Sequence, residues 1–241
     1  MLNNFNPKIL VKHEHYGLID DYFRYLDLGL NHYSKENISP QTKKQKLELL
    51  EKALRKDFPI KNSLISRLQS SFIKENLSLY LLLDPLHAWR HQADGKILTS
   101  EEQLSEFTNL FISPAARLIL ALYDENPATY LPLSSLFATL FLLDVFQSKT
   151  PLATAVKISK RKKISKLKGL IKNASVILSL VKSKRLKFKL ALAINRTKII
   201  LKNYENNKQS NSLVLDSIAV FLYSVWQFMS VKHKTLEKVK L

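Results

Sequence analysis

KRKKISKLKGLIKNASVILSLVKSKRLKFKLALAINRTKIILKNY, residues 160–204, repeats its apolar side chains at intervals of three and four. Ile164, Leu167, Ile171, Ala174, Leu178 and Val181 form one stripe; Leu186, Leu190, Ala193, Thr197, Leu201 and Tyr204 form a second. That period places each set on one face of an α-helix. Arg161, Lys162, Lys166, Lys168 and Lys172 project away from the first stripe, and Lys187, Lys198 and Lys202 from the second. The pattern predicts two amphipathic helices, each with one face for a helical core and one basic face.

The rest of the chain agrees with an all-α reading. Only four glycines are present, Gly17, Gly29, Gly95 and Gly169, which leaves few tight hairpins or phosphate-cradling loops. Ser39-Pro40, Asn126-Pro127 and Thr150-Pro151 each put a capping side chain before a proline at the first helical position, where the missing N–H costs nothing. Ser100-Glu101-Glu102-Gln103 reads as a capping box. A last helix is expected near 212–236, containing the uncharged run 218–231 (IAVFLYSVWQFMSV) followed by Lys232, His233 and Lys234. Fourteen residues fall short of the ~20 that a spanning helix needs, so this helix is read as a buried terminal helix or an interfacial anchor.

With 241 residues and 46% apolar content the chain can bury a full core, and a single domain over 1–241 is the expectation. It contains no Cys, which rules out a disulfide framework, thiol catalysis and Cys-ligated zinc. Met1–Pro7 shows no basic segment followed by an apolar run, so no secretory signal is expected. A cytoplasmic location, or a peripheral one at a membrane, is the reading.

Charge is segregated. Residues 149–208 hold 18 Lys or Arg against one acid, Glu205, whereas residues 1–148 sum to −1 and residues 209–241 to +2. A field concentrated in one quarter of a chain attracts an anionic partner: phospholipid headgroups, a diphosphate or a nucleic-acid backbone. A Lys-rich proteome would raise lysine throughout, and the balanced first 148 residues argue against that as the whole cause.

Residues 82–148 carry a recognisable order. Ala88-Trp89-Arg90 ends an apolar helix, Thr99-Ser100 caps the next one through Phe107, Ser113-Pro114-Ala115-Ala116-Arg117-Leu118 forms a helix-breaking turn, and Leu142-Leu143-Asp144-Val145 closes an apolar helix. This layout resembles the squalene/phytoene synthase family, and Arg185–Tyr204 is similar to that family's late basic helix. The resemblance covers most of residues 30–207. It implies an all-α, isoprenoid-synthase-like bundle around a central apolar cavity for prenyl tails, with diphosphates at its mouth. Active members hold those diphosphates through Mg²⁺ bridged by two aspartate-rich motifs; acids at i and i+4 share a helical face, and Mg²⁺ binds carboxylate and phosphate oxygens.

The sequence departs from that pattern at the motifs themselves. The second would run Asp144-Val-Phe-Gln-Ser148, with a hydroxyl where the second carboxylate belongs, and the Gln and Asn expected upstream are Phe137 and Leu140. The first would fall at Asn31–Glu36, where Glu36 is the only acid; Asp20, Asp21 and Asp27 lie upstream with no two of them three or four apart. Asp144 is therefore the single candidate metal ligand, and one of three candidates for binding substrate. Arg90 and Arg117, within the stretch of likeness, are candidates for gripping an anionic headgroup by bidentate hydrogen bonds, or else pair with acids nearby. His87 and His91, four apart with Asp84 on the same side, could in principle chelate a metal, but Ala88 stands where a zinc protease needs Glu, and no third ligand is evident.

Three functions follow. The first is a catalytically degenerate squalene/phytoene-synthase-like protein that requires no cofactor and binds an isoprenoid or lipid tail, an anionic membrane surface or a protein partner. Its anionic contacts would be Lys162, Lys166, Lys168, Lys172, Lys187, Lys198 and Lys202. The second is an active Mg²⁺-dependent head-to-head prenyltransferase acting on farnesyl or geranylgeranyl diphosphate. The third is a basic helical nucleic-acid binder.

Overall fold

The computed structural model describes residues 7–33, 38–55, 63–93, 98–123, 125, 127–147 and 151–206. The helix expected near 212–236 lies outside them. Eleven α-helices run in chain order among the described residues: α1 (Tyr16–Tyr33), α2 (Pro40–Leu54), α3 (Ser63–Lys74), α4 (Tyr80–Ala93), α5 (Glu101–Phe111), α6 (Ser113–Tyr123), α7 (Tyr130–Gln147), α8 (Pro151–Ala155), α9 (Lys160–Ser175), α10 (Ile177–Leu180) and α11 (Lys184–Glu205). Short 3-10 turns occupy Pro7–Leu10, His13–His15 and Pro127–Thr129. Among the described residues the only β pairing is an isolated parallel bridge between Leu98 and Val156, closed by Leu98 N–H to Ala155 O and Lys157 N–H to Leu98 O, both 3.0 Å.

The local start signals act as their chemistry dictates. Ser39 caps α2 by accepting from the Thr42 N–H, with Pro40 in the first turn. Ser100 and Gln103 close both halves of the capping box on α5. Asn126-Pro127 behaves differently: Pro127 opens a 3-10 turn, and α7 begins three residues later at Tyr130. The long stripe drawn from Ile164 to Val181 is also interrupted. α9 stops at Ser175, whose hydroxyl bonds back to the Ile171 carbonyl, a side-chain bond that competes with helix continuation. Leu167, Ile171, Ala174 and Val181 are still buried, Ile164 and Leu178 partly so. Ser183 then caps α11, where Leu186, Leu190, Ala193, Thr197 and Leu201 are buried as their spacing requires.

α7 is the axis of the bundle. It is apolar around its circumference, the signature of a helix buried on all sides, and packs against α9, α6, α11, α8 and α5. By length and composition it could cross a membrane, but 67% of it is buried inside the bundle, as in a core helix. Phe107, Phe111 and Phe141 form a ring cluster where α5 and α7 meet, and Phe23 of α1 stacks on Phe137 of α7 at 6.1 Å between centroids.

α1 is held to α4 by two tyrosines. Pro85 sits inside α4, so no residue-85 N–H exists to satisfy the Leu81 carbonyl. The Tyr22 hydroxyl donates to that oxygen at 2.8 Å, and the Tyr25 hydroxyl donates to the next carbonyl, Leu82, at 2.7 Å. Both tyrosines are fully buried. Burial pushes the Tyr22 phenol well above its ordinary value, which keeps it a hydrogen-bond donor.

Candidate functional site

The four stretches that carried the family layout lie on or beside α4, α5, α6 and α7, and their two arginines pair with carboxylates elsewhere in the chain. Arg90, in the last turn of α4, pairs with Glu51 of α2, and Arg55 shares the same carboxylate at 2.9 and 3.0 Å. Burial opposes ionisation of Glu51, but the hydrogen bonds from Arg55 and the charge of Arg90 outweigh it and hold the carboxyl below its ordinary value. Arg117 of α6 pairs with Asp84 of α4 at 3.4 Å and lies 4.8 Å from the centre of the Tyr130 ring. Both arginines proposed for an anionic headgroup thus have internal carboxylate partners.

Asp20 and Asp21 of α1 are committed in the same way. Asp20 pairs with Lys8 at 2.9 Å and with Arg24 at 3.1 Å. Asp21 accepts a two-pronged bond from Arg67 of α3, at 2.7 and 2.8 Å, and those bonds hold its carboxyl below the usual aspartate range against the opposing effect of burial. Asp144 is half-buried in the last turns of α7, where it is the only acid on the helix. Leu140 and Phe137, one and two turns before it, are buried in the core. The Ser34–Glu36 part of the expected first motif, and Ser148, lie outside the described residues.

Mg²⁺ bridging of a diphosphate needs carboxylates that converge. Among the described residues no three His, Asp or Glu side chains come together to hold a metal ion; His87 and His91 are both exposed on α4, and Asp84 is turned to Arg117. Among the described residues the donor set does not fit the metal cluster of the prenyltransferases.

The basic face is a layer formed by α9 and α11, which pack against each other and against α7. Lys162, Lys172, Lys198 and Lys202 are exposed, and Lys187 is partly exposed. Lys168 is exposed but paired with Glu205 at 2.6 Å. Lys166 has another role: its ammonium donates to the Ser105 hydroxyl and to the Glu101 carbonyl, fastening α9 to α5. Burial lowers its pKa despite the opposing pull of Glu101 and Glu102.

Near the Asp144 end of α7, Phe146 stacks on Tyr204 at 6.4 Å, Lys163 lies 4.8 Å from the Phe146 ring and Lys160 5.6 Å from the Tyr204 ring. A cleft of about 540 Å³ opens beside them, lined by Lys160, Arg161, Ile164, Ser165, Lys168 and Glu205. A second, of about 490 Å³, lies between the start of α1 and α3, lined chiefly by polar residues that include His15, Arg67 and Glu75.

The backbone arrangement has known counterparts. A dehydrosqualene synthase crystallised in complex with a ligand superposes with a TM-score of 0.70 over 93% of this chain and 90% of that one, at 11% identity. The squalene synthase HpnC from Alicyclobacillus acidocaldarius gives 0.59 over 84% and 98%, at 14% identity. The fold is that of the squalene synthases. The sequence itself matches no family model and no curated protein, so the squalene-synthase likeness is one of backbone.

Several structural residues carry no obvious sequence signal. Glu51 sits in a lysine-rich helix like any solvated acid. The Tyr22–Tyr25 pair has only an indirect sign in the sequence, Pro85 inside an apolar run, which leaves a carbonyl on α4 in need of another donor.

Proposed function

We propose that this chain is a catalytically silent relative of the squalene and phytoene synthases, which keeps their helical scaffold and binds an apolar, isoprenoid-type lipid at an anionic membrane surface. The observation that carries the reading is the pairing of acids with cations inside the protein. Asp20, Asp21, Glu51 and Asp84 each neutralise a lysine or arginine, and α7 offers Asp144 alone. An enzyme that ionises an allylic diphosphate needs its carboxylates turned to metal and its arginines turned to phosphate. Support for the lipid comes from the fold, shared with an enzyme solved with a ligand bound. Support for the surface comes from the lysine layer of α9 and α11.

The test has three readouts on the purified full chain. Incubation with Mg²⁺ and farnesyl or geranylgeranyl diphosphate should release no diphosphate above a protein-free control; turnover abolished by Asp144→Ala would instead establish the prenyltransferase. Solvent extraction of the purified protein should yield an apolar ligand, and flotation with phosphatidylcholine–phosphatidylglycerol vesicles should carry the protein upward. Binding to nucleic acid that weakens steeply with salt, with no vesicle association, would replace this reading with the phosphate-tracking one.

A further inference from the structure

Seven large apolar side chains are exposed among the described residues: Leu28, Leu49, Ile73, Tyr80, Leu131, Val176 and Leu180. Single exposed apolar residues are ordinary on any surface and need no explanation. Their placement here is uneven. Leu131 is the second residue of α7, next to the 3-10 turn Pro127–Thr129, and α10 packs against that turn; Val176 immediately precedes α10 and Leu180 ends it. Tyr130 lies under Arg117, Arg117 pairs with Asp84, and Asp84 is one turn from Tyr80 at the start of α4. Ile73, next to last in α3, is joined to Tyr80 by a short turn. Five of the seven therefore share the end of the bundle where α4 and α7 begin, and three of them are more than 60% exposed: Leu131 at 72%, Tyr80 at 66% and Ile73 at 63%.

The same end is cationic. Lys172 precedes α10, and Lys182, Lys184 and Arg185 follow it, all exposed. The nearby acid Glu125 is occupied, accepting the backbone N–H groups of Lys182 and Ser183 at 3.1 and 2.9 Å. Large apolar side chains ringed by lysines are what an interfacial surface needs: the apolar groups enter the headgroup–acyl boundary, and the cations meet anionic lipid.

We infer that this end of the bundle, led by Leu131, Val176 and Leu180, is the face that docks on an anionic bilayer. The long lysine faces of α9 and α11 then stand off the membrane and act as a steering field rather than as the contact. This rests on the membrane reading above and adds which face of the molecule enters the lipid.

The absence of Cys allows a direct test. Leu131→Cys, Val176→Cys and, as a control on α2, Leu49→Cys are each labelled with an environment-sensitive fluorophore and mixed with phosphatidylcholine vesicles containing one quarter phosphatidylglycerol. The expected result is a blue shift at 131 and 176 and none at 49. In parallel, Leu131→Ser, Val176→Ser and Leu180→Ser combined should weaken partitioning about tenfold with thermal stability unchanged, since these side chains leave exposed positions. Shifts at 49 with silence at 131 and 176, or partitioning unaffected by the triple change, would overturn the assignment while leaving membrane binding standing. A shift that grows with protein concentration in the absence of vesicles would assign this end to a second copy of the chain and overturn it too. If the unmodified protein ignores the vesicles altogether, the membrane reading and this docking face fall together.

Discussion

The indole of Trp89 lies where residue 29 would carry a side chain: a β-carbon on Gly29 would sit 1.8 Å from Trp89 Cε2 and 2.0 Å from Cζ2. Trp89 is fully buried and also tilts against the Tyr25 ring at 4.9 Å, so it has little room to move. By helix propensity, Gly29→Ala should stabilise α1 by about 1 kcal/mol. The clash should reverse that sign and cost about 1–3 kcal/mol net. Chemical denaturation checks this, and in a Trp89→Leu background the same glycine change should cost markedly less.

Tyr22 and Pro85 form a second testable pair. Tyr22→Phe leaves the buried Leu81 carbonyl without its donor and should cost about 1–2 kcal/mol. Pro85→Ala supplies an N–H one turn away for the same oxygen. In that background the tyrosine substitution should cost about 1 kcal/mol less, and a double-mutant cycle in urea reads the difference. Equal costs in both backgrounds would show that the tyrosine hydroxyl does not substitute for the missing helical bond.

Lys166 should respond to substitution unlike its neighbours. Lys166→Met keeps the apolar stem against α5 and should cost about 1 kcal/mol or less. Lys166→Glu faces the Glu101 carbonyl and the Glu102 carboxylate across a partly buried contact, and should cost about 1–3 kcal/mol. Exposed Lys162, Lys172 and Lys198 should tolerate Glu with no change in melting temperature. Any study of the basic face therefore belongs on those lysines and not on Lys166.

The acid limb of stability should trace Asp21 and Glu51. Both carboxyls are held below their ordinary values of 3.8 and 4.5, so the folded state binds their protons less readily than the unfolded chain. Their contribution is complete above those values and is lost as pH falls through the depressed folded ones. Arg67→Gln removes the bonds that depress Asp21. Melting temperature plotted against pH should then decline less steeply below about pH 4 than it does in the unmodified protein.

The helices were legible because their signals are local. The period of Leu186–Leu201, the Ser100–Gln103 box and the Ser39-Pro40 start depend on neighbours within a turn or two, and each holds in the structure. The break after Ser175 was not legible, since a continuous apolar stripe reads the same whether the helix runs straight or turns at Val176. At the site, the family layout led to Arg90 and Arg117, but their partners Glu51 and Asp84 lie 39 and 33 residues away. Ion pairing at that separation is settled by packing, which spacing does not encode. Lys166 makes the same point from the other side: its place on a regular basic face concealed that it alone of the seven lysines reaches Ser105.

The parallel bridge between Leu98 and Val156 fastens the start of α5 to the link just ahead of α9. Because both of its hydrogen bonds converge on Leu98, the lysine-rich layer is clamped at the link ahead of α9 as well as along its packed face. At the anionic surface proposed above, a pull on α9 would therefore act through this clamp on the scaffold as well as on the helix, turning the molecule like a compass needle before it touches down.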